Sequence, residues 1–144
     1  RYYLWRTRRS KRINLRRTMA TREVFVANQI LTAAEQNALA TAMIAINAQV
    51  ASYTAVLTDD GKLVTMSNAS ANNFTVPPNS SVAFGIGTQL NIAQLGAGAT
   101  TLVASAGVTI NSDGAKLTLN AQYAVATVVK TDTNTWFAVG NLKA

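Results

Sequence analysis

From Tyr53 to the end of the chain, apolar and polar residues alternate in short runs separated by polar or glycine-bearing stretches. The runs are YTAVLT, KLVTMSN, NNFTVPP, SVAFGIGTQLNIAQLG, TTLVASAGVTIN, KLTLNAQYAVATVVKT and TWFAVGN. Leu90, Ile92 and Gln94 fall on one side of a period-two pattern, with Asn91 and Ala93 on the other. Val125, Thr127 and Val129 oppose Ala124, Ala126 and Val128. Period two places alternate side chains on opposite faces of a strand, so roughly six to nine short strands are predicted. Asp59-Asp60-Gly61-Lys62 and Ser112-Asp113-Gly114 read as hairpin turns, because glycine accepts positive φ, and Asp132-Thr133-Asn134 reads as a further turn. Pro77-Pro78 must end a strand, since proline removes a ladder donor. Thr75-Val76 is expected to close one strand, Pro77 to Ser81 to form a rigid turn, and Val82 to Gln94 to continue the sheet. The expected fold is mainly β, with a single β-sandwich or jelly-roll-like domain over residues 53–144.

Upstream the period changes. Residues 21–31, TREVFVANQIL, read as a short extended segment. Thr32 and Glu35 then fit a capping box, in which the hydroxyl accepts from a backbone N–H and the carboxylate reaches back. A helix is predicted over 32–51, so residues 21–52 form a linker and an α-helix. Leu39, Met43, Ile46 and Val50 are spaced 4, 3, 4, which is a heptad seam. Gln36 and Tyr53 extend the same rhythm. The seam can pack on the chain's own sheet or form a small bundle between subunits. Two heptads are too short to associate strongly alone.

Charge divides the chain. The net charge is +7. Residues 1–18 carry Arg1, Arg6, Arg8, Arg9, Lys11, Arg12, Arg16 and Arg17 with no acid, whereas the rest is nearly neutral. Residues 1–20 are therefore expected to be a basic extended arm, too charged to fold alone. Met19-Ala20-Thr21 looks like a protein start, which would make the arm an upstream extension. Tyr2, Tyr3 and Trp5 lie among the cations. Such an arm can dock in an acidic groove of a protein, bind nucleic acid by phosphate contacts and stacking, act in targeting, or stay a solvated tail. No apolar run approaches the ~18 residues of a membrane span. No secretory signal is visible either, and no membrane association is expected.

Residue types narrow the chemistry. The chain has no Cys and no His. Disulfides, thiolate metal sites, the commonest general base and the Ser-His and Cys-His pairs are excluded. The acids are Glu23, Glu35, Asp59, Asp60, Asp113 and Asp132. A non-enzymatic protein without cofactor or metal is expected. A carbohydrate-active enzyme using Asp59 or Asp60 is the competing enzymatic reading. Gly85-Ile86-Gly87 lacks the third glycine and following helix of a dinucleotide fingerprint. The Asp-Gly stretches lack the twelve-residue pattern of a calcium loop. Asn68-Ala69-Ser70, Asn73-Phe74-Thr75 and Asn79-Ser80-Ser81 match glycosylation sequons, read as chance in an Asn-, Ser- and Thr-rich chain.

The stretch from Tyr53 to Leu142 resembles a β module of bacteriophage virion proteins. The residues that carry the resemblance are Asp60, Gly61 and Lys62 after Tyr53-Thr54; Thr75 to Asn79; Ser81 to Phe84; Gly87 to Gln89; Gly96 to Gly98; Gln122-Tyr123; and Thr135-Trp136. The segment FVANQILTAAEQNAL also looks like the front ends of phage minor structural proteins. Related modules occur in head decoration proteins, head fibres and tail fibres. The resemblance implies a virion structural protein, assembled in the host cytoplasm. The basic arm departs from the common pattern and favours a capsid decoration or cement protein, whose partner is the major capsid protein. Tyr2, Tyr3, Trp5, Arg6, Arg8, Arg9, Arg12, Arg16 and Arg17 would then be the capsid-docking arm. Leu39, Met43, Ile46 and Val50 would join copies in a homotrimer. A head- or tail-fibre module that adheres to a host surface is the alternative, and nucleic-acid binding by the arm a third reading.

Overall fold

The computed structural model of the chain describes residues 44–144. The chain winds back and forth between two facing β-sheets. β1 (Ile46–Gln49) lies in the first sheet and β2 (Tyr53–Thr54) in the second. β3 (Leu63–Met66) returns beside β1, and β4 (Asn72–Val76) beside β2. β5 (Gln89–Gln94) and β6 (Thr100–Ala104) repeat the circuit. All four neighbour pairs are parallel. The first six strands are thus three stacked tiers of a flattened coil.

The remaining strands close the coil. β8 (Thr118–Leu119) runs antiparallel to β6, and β9 (Val125–Asp132) antiparallel to β5. β10 (Thr135–Gly140) forms a hairpin with β9, and β7 (Thr109–Ser112) pairs parallel to β10. β11 (Leu142–Lys143) edges the second sheet on β8. The orders are β1-β3-β5-β9-β10-β7 and β11-β8-β6-β4-β2.

The tiers have an internal register. Leu63 pairs with Asn91 and Phe74 with Leu102, an offset of 28 residues on both sheets. The turns between the sheets stack in step with the strands. Leu95 and Gly96 amides both donate to Met66 O, at 2.8 and 3.0 Å, and Gly98 N donates to Asn68 O at 2.9 Å. Gly96 and Gly98 lie directly against the backbone of Asn68 to Ser70, with no room for a β-carbon. Below these turns, Thr100 N donates to Gln94 Oε1 and Thr100 Oγ1 to Asn72 Oδ1. These buried polar groups are satisfied, as burial requires.

The core lies between the sheets. Val64, Met66, Leu90, Ile92, Val128 and Trp136 from the first sheet meet Phe74, Val76, Leu102 and Leu119 from the second, all almost fully buried. The opposite face of the first sheet has three cross-strand rows. One links Ile46, Leu63, Asn91, Thr127 and Val139; the next Ala48, Thr65, Ala93 and Val125; the third Gln89, Val129, Phe137 and Asn111. The outer face of the second sheet carries Thr54, Thr75 and Val103 in one row and Asn73, Thr101, Thr118 and Lys143 in another.

Four sequence expectations need correction. The helix over 32–51 cannot run to its end, because Ile46–Gln49 is a strand paired with β3. Non-local pairing outweighs helix propensity there, and the Asn47 side chain is drawn into the fold by hydrogen bonds. The folded body consequently begins before residue 53. Leu39, Met43, the capping box and the arm lie outside the described residues. A jelly roll is also excluded, because a jelly roll is antiparallel and the first three tiers here are parallel. Asp60-Gly61 and Asp113-Gly114 are not hairpins: each turns the chain from one sheet to the other. Gly61 and Gly114 do adopt positive φ, so the conformational reading of the glycine holds while the connection differs. Finally, Val82 to Thr88 is a loop, and the sheet resumes only at Gln89.

Candidate functional site

Three features outside the apolar core have definite geometry. The first closes the front tier. Asp59 sits in the crossover from β2 to β3 and is fully buried. Its Oδ1 accepts from Asn47 Nδ2 at 2.9 Å. Its Oδ2 accepts from the Tyr53 hydroxyl and from Val56 N, both at 2.9 Å. Asn47 Nδ2 also donates to the Tyr53 oxygen at 3.1 Å. The neighbouring Asp60 points elsewhere, toward Gln89 N. With no open side toward solvent, Asp59 fastens the crossover to β1 and β2 rather than receiving a substrate. Asp59→Ala would leave several donors without an acceptor. The expected loss is about 3 kcal/mol, read as a lowered urea midpoint.

Tyr53 adds a pH signature. Its pKa is raised above the ordinary 10.0, first by burial and then by its hydrogen bond to Asp59. A raised pKa means the folded state holds the proton more tightly. The associated stability is complete below the unfolded value near 10 and is lost as pH rises through the folded value. The fold should therefore weaken on the alkaline side of pH 10, and Tyr53→Phe should flatten that part of the curve in pH-dependent unfolding.

The second feature explains the long segment after β4. Lys130 lies on β9 and is 2% exposed. Its ammonium donates to Asn79 Oδ1 at 2.6 Å and Phe84 O at 2.7 Å, and stands 5.8 Å from the Trp136 ring centroid. Gly87 N donates to Lys130 O, and Asn79 N to Asn134 Oδ1. Phe84 meets Trp136 edge-on, with centroids 5.5 Å apart. The loop from Pro77 to Thr88 is thus a lid held over one end of the core by a single buried cation. Gly87, at φ +89, provides the positive-φ turn that returns the chain to β5. Lys130→Met keeps the stem and removes the donor. It should cost about 2 kcal/mol and raise amide exchange across residues 79–87 first.

The third feature is a shallow depression beside β7 and β10. Asn111, Asp113, Lys116, Phe137, Val139 and Leu142 contribute to its walls. Lys116 and Asp113 form a largely exposed ion pair at 3.7 Å across its rim. Among the described residues, no group of three acid side chains converges as a metal site would require.

The structure places two of the proposed oligomer residues, Ile46 in β1 and Val50 just beyond its end, on the exposed surface, at 67% and 74% exposure. Ile46 is turned out by strand alternation rather than helical spacing. Leu39, Met43 and all the arm residues lie outside the described residues. Sequence reasoning missed Asn47, Asp59 and Lys130 as organising groups. Lys130 was within reach: the alternation that turns Ala126 and Val128 inward also turns Lys130 inward. Compared with protein-family models, curated proteins and solved structures, the chain matches none.

Proposed function

We propose that the chain is a structural protein of a bacteriophage particle, a decoration or cement protein that clamps neighbouring major capsid subunits. The division of charge carries this reading: eight cations lie in residues 1–18, ahead of a nearly neutral body. The resemblance of residues 53–142 to phage virion modules supports the setting. A stacked β body with a pinned lid suits a mechanical role. The arm would lie in seams of the shell, with Arg6, Arg8, Arg9, Arg12, Arg16 and Arg17 making charge-assisted bonds to acidic patches. Tyr2, Tyr3 and Trp5 would anchor it. A closed homotrimer matches the threefold positions of an icosahedral shell. The role is non-enzymatic and needs no cofactor, membrane or nucleic acid.

Co-sedimentation tests this. The full chain should pellet with expanded capsid shells, and a variant with those six arginines changed to serine should stay in the supernatant. Failure of the full chain to pellet would overturn the proposal. The loop tip favours a fibre module as the second reading: Ile86 is 72% exposed on a rigidly held lid. In that case the full chain would bind host cells, and Ile86→Ser would abolish the binding.

A further inference from the structure

The two outer faces of the sandwich differ in kind. On the second sheet, the outward rows are mostly threonine, with Asn73 and Lys143. On the first sheet, none of the outward residues in the three rows carries a charge; Lys130 points inward, and exposed Asp132, opposite Thr135, borders the face one row beyond the third. Ile46, Val125, Phe137 and Val139 stand on this face at 67%, 47%, 50% and 56% exposure. Ile46 inverts the usual order of an edge strand. Its neighbours Asn47 and Gln49 point inward, while the apolar Ile46 and Ala48 point out. A strand with its polar residues inside and its apolar residues outside is shaped for a second apolar surface.

We propose that this face is where copies of the chain meet. A second copy is the occupant that the charge pattern fits: it brings the same three uncharged rows, so contact across them desolvates no charge, while Asp132 and the Lys116–Asp113 pair stay at the margin. Six strands about 4.8 Å apart and four to eight residues long make a face of roughly 500 Å². Two copies would bury roughly 1,000 Å², about the least that a specific interface needs. The chain enters the sheet at Ile44, on the rim of the same face and 70% exposed. The inference rests on the proposed self-association but gives it a twofold form: a face that meets its own copy makes an isologous pair, so this surface predicts a dimer in place of the homotrimer.

Sedimentation of the full chain tests it, with Phe137→Asp and Ile46→Lys as separate variants and Asn73→Asp, on the threonine-rich face, as control. Circular dichroism first checks that each is folded. A closed oligomer for the parent and the control, with assembly weakened at least ~100-fold in both face variants, is the expected result. Because the two substitutions sit toward opposite edges of the sheet, on β1 and β10, misfolding of one leaves the other to decide. A parent oligomer that both folded variants retain would overturn this surface while leaving the assembly standing. A monomeric parent would overturn both.

Discussion

Gly98→Ala is expected to destabilise the fold by roughly 4 kcal/mol, far more than a single methyl group usually costs in a turn. A β-carbon there would overlap the Ser70 carbonyl and the Ala69 backbone. The obstacle is main chain, so no rotamer change can relieve it. The turn of the third tier would have to lift from the turn of the second, losing the bond from Gly98 N to Asn68 O. Lifting would also disturb Thr100, whose amide and hydroxyl tie Gln94 to Asn72. Gly107 gives the comparison. It has φ +79, and an added β-carbon would meet nothing within 4 Å. Gly107→Ala should cost only the ~1 kcal/mol of a left-handed alanine. Urea unfolding of both variants separates close approach from backbone conformation. Equal losses would mean that the turns do not stack as described.

Trp136→Ala should be almost as damaging, at about 4 kcal/mol. The side chain is 1% exposed and is among the largest in the core. Its loss leaves a cavity and removes the edge-to-face partner of Phe84. It also removes the ring beside the Lys130 ammonium, so the lid should loosen together with the core. The expected signature is a lower urea midpoint with an unchanged slope, and early exchange of amides near Phe84. A loss under about 1 kcal/mol would contradict the placement of Trp136 at the centre of the packing.

The parts of the fold that were legible in the sequence are those governed by local rules. Alternation correctly put Leu90, Ile92 and Gln94 on one face, which the structure turns inward, and Ala124, Ala126 and Val128 opposite Val125, Thr127 and Val129. Proline correctly ended β4 at Val76. The winding was not legible, because a corner turn and a hairpin turn use the same Asp-Gly chemistry. Which one forms depends on the next strand's partner, a non-local choice. The repeat of 28 residues was hidden as well. Val64 and Ile92 correspond, as do Phe74 and Leu102, but Met66 faces Gln94 and Asn68 faces Gly96. Inward positions of a coil need only matching shape, so little identity remains to be seen. The front tier misled for a related reason. Ile46 fits a heptad as well as it fits the outward side of a strand, and only the partner of Asn47 decides between them.

The structure gives the body parallel tiers and a pinned lid. The proposed function adds the arm as the holding element. Electron cryomicroscopy of the intact phage particle tests this central claim most directly. The account predicts density for the β body at the threefold positions of the shell, with residues 1–18 lying in the seams between capsid subunits. Density only on the tail or on protruding fibres would contradict it.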